Sequence, residues 1–337
     1  MSQKTYPIEF TGGAWEYFKI YMVNMVFTVL TLGIYSAWAK VRTERWFHGH
    51  TRLNGQPFAY HATPMQIFKG RLLVVALMLV YVLLDSFVPF LSIIMLLLVF
   101  VATPWLMLSS LRFNAAMTSY RGLRFSFKGA LEEAFVIYLV LPIAIPFTLG
   151  LILPYLTYRQ VRFVASNMAY GHVQATYDGN AKSFVGIYLK VMAIFVVPLG
   201  LLGLVAYVLS DDTKFVAVAA GLGIAVFYAA MLVSSAYIAS AVRNLKFNST
   251  SFGPVNFQST QKALTLIGLY ITNALAVGFS LGLLYPWAKV RLARYKAATL
   301  VVETDQDLGE FTGELANTHG AIGDELADAF DLNVSLV

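Results

Sequence analysis

Residues 90–111, FLSIIMLLLVFVATPWLMLSSL, run for 22 positions without a charge. About 20 apolar residues cross the hydrocarbon of a bilayer. This segment is therefore read as a membrane helix, and it commits the chain to a lipid setting. Further apolar runs of spanning length lie near residues 15–38, 67–87, 134–157, 184–209, 214–240 and 264–287, which makes seven candidate membrane helices. Composition agrees. Of all residues 58% are hydrophobic and 12% charged, with mean hydropathy +0.67, where soluble domains carry about 25% charged residues.

The first residues, MSQKTYPIEFTGGAW, lack the basic start and small-residue cleavage site of a signal peptide, so the first apolar run is expected to stay in the mature protein. Cysteine is absent, which excludes disulfides and thiolate metal sites. Charge is unevenly spread. No Lys or Arg follows Lys296, whereas nine of the 18 acids follow Val302: Glu303, Asp305, Asp307, Glu310, Glu314, Asp324, Glu325, Asp328 and Asp331. A membrane domain of residues 1–302 thus carries +15, and an acidic tail of residues 303–337 carries −9. The tail either floats in solvent or docks through Leu308, Phe311, Leu315, Ile322, Leu326 and Phe330.

The chain repeats itself. A shift of 249 places Tyr21 on Tyr270, Asn24 on Asn273, Gly33 on Gly282, Trp38 on Trp287, Lys40 on Lys289, Arg42 on Arg291 and Arg45 on Arg294. A shift of 117 brings in Tyr138, Gly150, Tyr155, Arg159 and Arg162, with Leu141 where the other copies have asparagine. Fainter copies run from Pro104-Trp105 to Arg112 and from Tyr237 to Arg243. Gly55, Gly122, Gly171 and Gly253 stand nine or ten residues after an arginine and read as tight turns. Phe-x-Gly opens the elements at Phe10, Phe68, Phe127 and Phe184. The repeat cores are 10–60, 127–180 and 257–302, each holding one apolar run, and the segments 67–111 and 184–240 are helical hairpins with tips at Asp85-Ser86 and Asp211-Asp212. The expected fold is an all-α, polytopic transmembrane bundle with internal repeats, a habit of transporters.

The acidic tips are expected outside, because Lys and Arg favour the cytoplasmic flanks. Basic residues flank both ends of the three single elements, so these elements either cross or re-enter. Segment length favours seven crossings; re-entrance, broken at Pro142, Pro146, Gly150 or Pro154, keeps every arginine motif inside.

A helix over WAKVRTER sets Trp38, Arg42 and Arg45 on one face, at the headgroup level that Trp and Arg prefer. The candidate contacts for lipid or another anion are Trp38, Lys40, Arg42, Arg45, Arg112, Arg159, Arg162, Trp287, Lys289, Arg291 and Arg294. Interface anchoring is their bland role, a shared anion site their sharper one. Tyr21, Asn24, Tyr138, Tyr270 and Asn273 are candidate intramembrane polar contacts, and the asparagines suit hydrogen bonds between helices. Lys190 can snorkel, and Glu132-Glu133 fit a helix N-terminus. His48, His50 and His61 lie on a basic stretch, and three histidines so placed are weak evidence for a metal, so no metal site is expected. No nucleotide, hydrolase or metalloprotease motif occurs, so neither catalysis nor a cofactor is expected.

YFKIYMVNMVFTVLTLGIYSAWAKVR near the start, LGLLYPWAKVRLARY later and the ending GDELADAFDLNVSLV resemble the YjgN-like family of bacterial inner-membrane proteins of unknown function. The likeness covers nearly the whole chain; Ala37 departs from Pro286 of the second copy. It implies residence in the bacterial inner membrane and a multi-pass helical fold, and it carries over no functional residue. Two functions lead: a transporter or channel-like protein for a small or anionic solute, with Tyr21, Asn24, Tyr270 and Asn273 lining a polar cavity, and a non-transporting lipid-headgroup or scaffold protein; a membrane-embedded enzyme comes third, since no paired carboxylates and no nucleophile with a base stand in the bilayer region. The expected partners are anionic membrane lipids, not nucleic acid.

Overall fold

In a computed structural model the protein is described over residues 4–208 and 213–320. The tip Asp211-Asp212, the acids Asp324, Glu325, Asp328 and Asp331, and Ile322, Leu326 and Phe330 lie outside these residues.

The sequence builds one plan five times: strand, helix, turn, helix, strand. The first unit is β1 (Lys4–Phe10), α1 (Ala14–Leu30), α2 (Ser36–His50) and β2 (Thr51–Leu53). The second is β3 (Gln56–Tyr60), α3 (Pro64–Phe87), α4 (Pro89–Ala116) and β4 (Thr118–Tyr120). The third runs from β5 (Leu123–Phe127) through α5 (Leu131–Phe135), a π-turn at Val136–Val140, α6 (Leu141–Phe147) and α7 (Leu153–Ser166) to β6 (Met168–Tyr170). Pro142 and Pro146 supply no backbone N–H, which fits the π-turn just before them. After β7 (Val173–Gln174), the fourth unit is β8 (Thr176–Tyr177), α8 (Ala181–Val208), α9 (Thr213–Asn248) and β9 (Thr250–Phe252). The fifth is β10 (Val255–Ser259), α10 (Ala263–Phe279), α11 (Tyr285–Ala298) and β11 (Leu300–Thr304), followed by α12 (Leu308–Gly320).

The all-α expectation is corrected by the strands. Eleven of them form one antiparallel sheet in the order β7-β6-β5-β4-β3-β2-β1-β11-β10-β9-β8. The two edge strands, β7 and β8, are consecutive in the chain. Only Ala175 separates them, and its N–H donates to Met168 O at 2.8 Å, so the sheet rolls into a near-barrel. The glycines read as turns are the hairpins of this sheet: Asn54-Gly55 and Arg121-Gly122 take positive φ at both central residues, as the tightest β-hairpins require.

The sheet also bears on how the single elements run. The strands that bracket each helical hairpin pair with each other: β1 with β2, β3 with β4, β5 with β6, β8 with β9 and β10 with β11. Every hairpin therefore leaves and returns at one end of the sheet, and the structure does not bear out the count of seven crossings. Among the described residues four helices are long and apolar enough to cross a membrane: α3, α4, α8 and α9.

The three short hairpins turn by one device. In Thr31-Leu32-Gly33 the Gly33 N–H donates to Thr28 O at 2.7 Å and the Leu32 N–H to Val29 O at 3.1 Å, a Schellman cap. Leu149-Gly150 and Leu281-Gly282 repeat it, and the three leucines have φ between 49° and 51°. These leucines are 92–95% exposed, at the far ends of their hairpins.

Inside the barrel, Leu53, Tyr120, Leu123, Tyr170, Val255 and Val302 pack with Leu308, Phe311 and Leu315 of α12. The part of the acidic tail that is described is thus docked, and residue 302 lies within β11. Of the four Phe-x-Gly motifs, those at Phe10 and Phe127 lead from strand into helix, whereas Phe68 and Phe184 lie within α3 and α8.

Candidate functional site: an axial cavity ringed by helix ends

The second helix of each unit, namely α2, α4, α7, α9 or α11, descends to the barrel mouth. There a side chain reaches the carbonyl ahead of the next unit's first helix. Arg45 donates to Ala62 O at 2.9 Å, Arg112 to Gly129 O at 3.0 Å and Asn244 to Gln261 O at 2.9 Å, each across 17 residues. Arg294 donates to Gly12 O at 3.3 Å and so joins the fifth unit to the first. In the third unit Arg162 instead donates to Tyr158 Oη at 3.1 Å.

These descending ends, with the upper strands, enclose a cavity of about 670 Å³. Its wall is mostly apolar. The polar side chains that line it include Arg243, Lys246, Lys296, His48 and Asn114, and among the described lining residues none is Asp or Glu. Arg243 Nη2 donates to Lys296 O at 3.0 Å, its Nε is buried without a partner, and its guanidinium lies 4.9 Å from the Phe247 ring centre. Burial, and then the charge of Arg243, hold the Lys296 ammonium below its ordinary range. His48 Nδ1 lies 2.7 Å from Glu44 O, and its ring stacks on Tyr60. Three cations in a largely apolar chamber leave an anion as the fitting guest. No group of His and carboxylates able to hold a metal occurs among the described residues.

None of the residues singled out from the sequence as contacts lines this cavity. Asn24 Nδ2 donates to Ala39 O and Asn273 Nδ2 to Ala288 O, both at 3.4 Å, so each asparagine holds the second helix of its own hairpin. Arg291 bonds Asn273 Oδ1 at 3.3 Å and lies over Trp287, whereas Asn24 Oδ1 is buried without a partner. Tyr21 meets Tyr285 across the contact of the first and fifth units, Tyr138 packs on Phe163, and Tyr270 joins the cluster around Leu266. Arg159 pairs with Glu133 at 3.4 Å and with Tyr155. Trp38 stacks on Tyr35 and meets Phe68 at a tilt, Lys289 lies over Phe47 and Tyr285, and Lys40 and Arg42 are exposed. Sequence reasoning noticed Arg243 only as part of a faint repeat and passed over Lys246 and Lys296. The available signal was the i, i+3 spacing of Arg243 and Lys246, which puts both on one helix face.

Residues 5–329 match a family described as "Bacterial protein of unknown function (DUF898)". Inner membrane protein YjgN of Salmonella typhimurium LT2 is 27% identical, over 92% of this chain and 91% of that protein. Inner membrane protein YjgN of Escherichia coli K12 is 30% identical over 44% of this chain and 38% of that protein. No solved structure matches.

Proposed function

Because the chain belongs to the DUF898 family of bacterial proteins of unknown function, we propose as our own reading that it binds an anionic amphiphile of the inner membrane in the axial cavity. The observation that carries this is the set of Arg243, Lys246 and Lys296 in an otherwise apolar chamber at the base of the membrane hairpins. A headgroup is neutralised by the cations, and the apolar wall receives the start of its chain. The relatives named inner membrane proteins and the four apolar helices support the setting. The basic helix ends on the sheet side favour a cytoplasmic sheet. In this reading the five units are copies of one ancestral hairpin, which the recurring 17-residue clasp and the three identical turns support. Lys40, Arg42 and Trp38 serve as interface anchors outside the cavity.

Transport of a polar solute between the units has less support, because Asn24 and Asn273 are engaged within their own hairpins. Native mass spectrometry of the purified protein tests the binding reading. Retained anionic lipid is expected, with at least a tenfold loss in Lys246→Gln/Lys296→Gln and little change in Lys40→Gln/Arg42→Gln. Equal retention by the two double variants sinks it.

A further inference from the structure

We infer that the barrel lumen is the second half of this site, a slot for the amphiphile's hydrocarbon chain, and that α12 occupies the lower end of that slot. The inference rests on the reading that the axial cavity takes the anionic head.

Below the axial cavity lies a second void of about 90 Å³ inside the barrel. Ile8, Phe58, Phe125, Phe252 and Phe257 line both spaces. The partition is therefore five apolar side chains, contributed by β1, β3, β5, β9 and β10, so every unit but the fourth lends its incoming strand and the fourth lends its outgoing one. These five are packed against the barrel core yet only partly buried, and aromatic rings of that kind can rotate aside.

The lower void is dry by its chemistry. At about 30 Å³ per water in the liquid it has room for about three, but water needs two to four polar partners. Tyr120 Oη already donates to Leu53 O and Tyr170 Oη to Tyr120 O, both at 2.8 Å, and the Thr312 hydroxyl donates to Leu308 O at 2.8 Å. What the lumen offers is contact for hydrocarbon.

Its floor is α12. Leu308, Phe311 and Leu315 of α12 are buried against the barrel, and Arg121 Nη1 reaches Thr312 Oγ1 at 3.3 Å. These are the contacts an alkyl chain would supply in their place. The cations stand at the upper end of this path and the apolar floor at the lower, which is the polarity of a single-chain anion lying head-up along the axis.

The test uses the full-length protein in nanodiscs and octadecyl phosphate carrying a photoreactive diazirine at the end of its chain. Cross-links at Tyr120, Tyr170 or Phe311 are expected, lost in Lys246→Gln/Lys296→Gln and raised at least fivefold by Phe311→Ala. Should Phe311→Ala fail to fold, Arg121→Asn suits the left-handed backbone there (φ 47°) and frees Thr312, and the same rise is expected. Lysine-dependent cross-links confined to Leu111 and Val164, and indifferent to both α12 variants, overturn the chain slot while leaving the headgroup site standing. Cross-linking that does not depend on the lysines overturns both.

Discussion

The tips of the short hairpins should lie in the middle of the bilayer, reachable from neither side. At 1.5 Å per residue, the 17 residues of α1 rise about 25 Å from the sheet, whereas the 24 of α3 and 28 of α4 rise about 36 and 42 Å. Leu32 therefore stops about 11–17 Å short of the far end of the long hairpin. In hydrocarbon about 30 Å thick that is close to the midplane. The leucine itself argues the same way. A left-handed Leu costs about 1–2 kcal/mol where Gly would cost nothing, and burying its side chain in lipid returns about 1.5–3 kcal/mol. With no native cysteine in the chain, Leu32→Cys, Leu149→Cys, Leu281→Cys and Ser86→Cys each give one clean probe. A membrane-impermeant maleimide should label Ser86→Cys from outside and none of the three tip variants from either side, and spin labels at the tips should report high oxygen and low polar-reagent access. Labelling of Leu32→Cys from outside at the rate of Ser86→Cys would refute the same-side pairing on which the depth rests.

Gly33→Ala and Gly282→Ala meet no atom within 4 Å, so their cost is the positive φ alone, about 1–2 kcal/mol each; Gly70→Ala, in an ordinary helix with equal room, should gain about 1 kcal/mol, both read as thermal midpoints in one detergent. Asn273→Leu removes the bond to Ala288 O and one of the two side-chain acceptors of Arg291, which keeps Thr272, and should cost about 1–2 kcal/mol, while Asn24→Leu, which loses the bond to Ala39 O but also removes a buried orphan oxygen, should cost less by the same assay. Burial raises the phenols of Tyr120 and Tyr170 and pushes Tyr177 to about 12. The unfolded chain ionises tyrosine near 10, so this stability is complete below pH 10 and lost as pH climbs beyond it; the unfolding midpoint should hold from pH 7 to 9 and fall at pH 11, less steeply in Tyr170→Phe.

The apolar hairpins and the register of the repeats were legible because lipid-spanning helices announce themselves by length and because Trp38, Lys40, Arg42 and Arg45 return at one spacing. The sheet was not. Its strands are two to seven residues long, too short for alternation to rise above noise, and Asn54-Gly55 was read as a turn without the strands on either side. The re-entrant alternative was visible in the basic flanks of the single elements, and the strand pairing favours it. Arg45, Arg112 and Arg294 clasp the next unit, a role that no repeat comparison distinguishes from lipid contact. The cavity escaped for a different reason: Lys246 and Lys296 line it from α9 and α11, 50 residues apart, and inward direction in a ring leaves no period in the sequence.

The pairing of β1 with β11 has a consequence for synthesis. Lys4 lies opposite Thr304, so the first strand made waits for the last one before its outer edge is covered. Until then the growing chain carries an open seam at its N-terminal strand, with the first hairpin held on one flank only by β2 and β3. Closure therefore comes after every hairpin has entered the membrane, and a ribosome stalled anywhere before residue 300 leaves an unsealed ring with a bare strand edge, the kind of surface that cellular quality control can recognise.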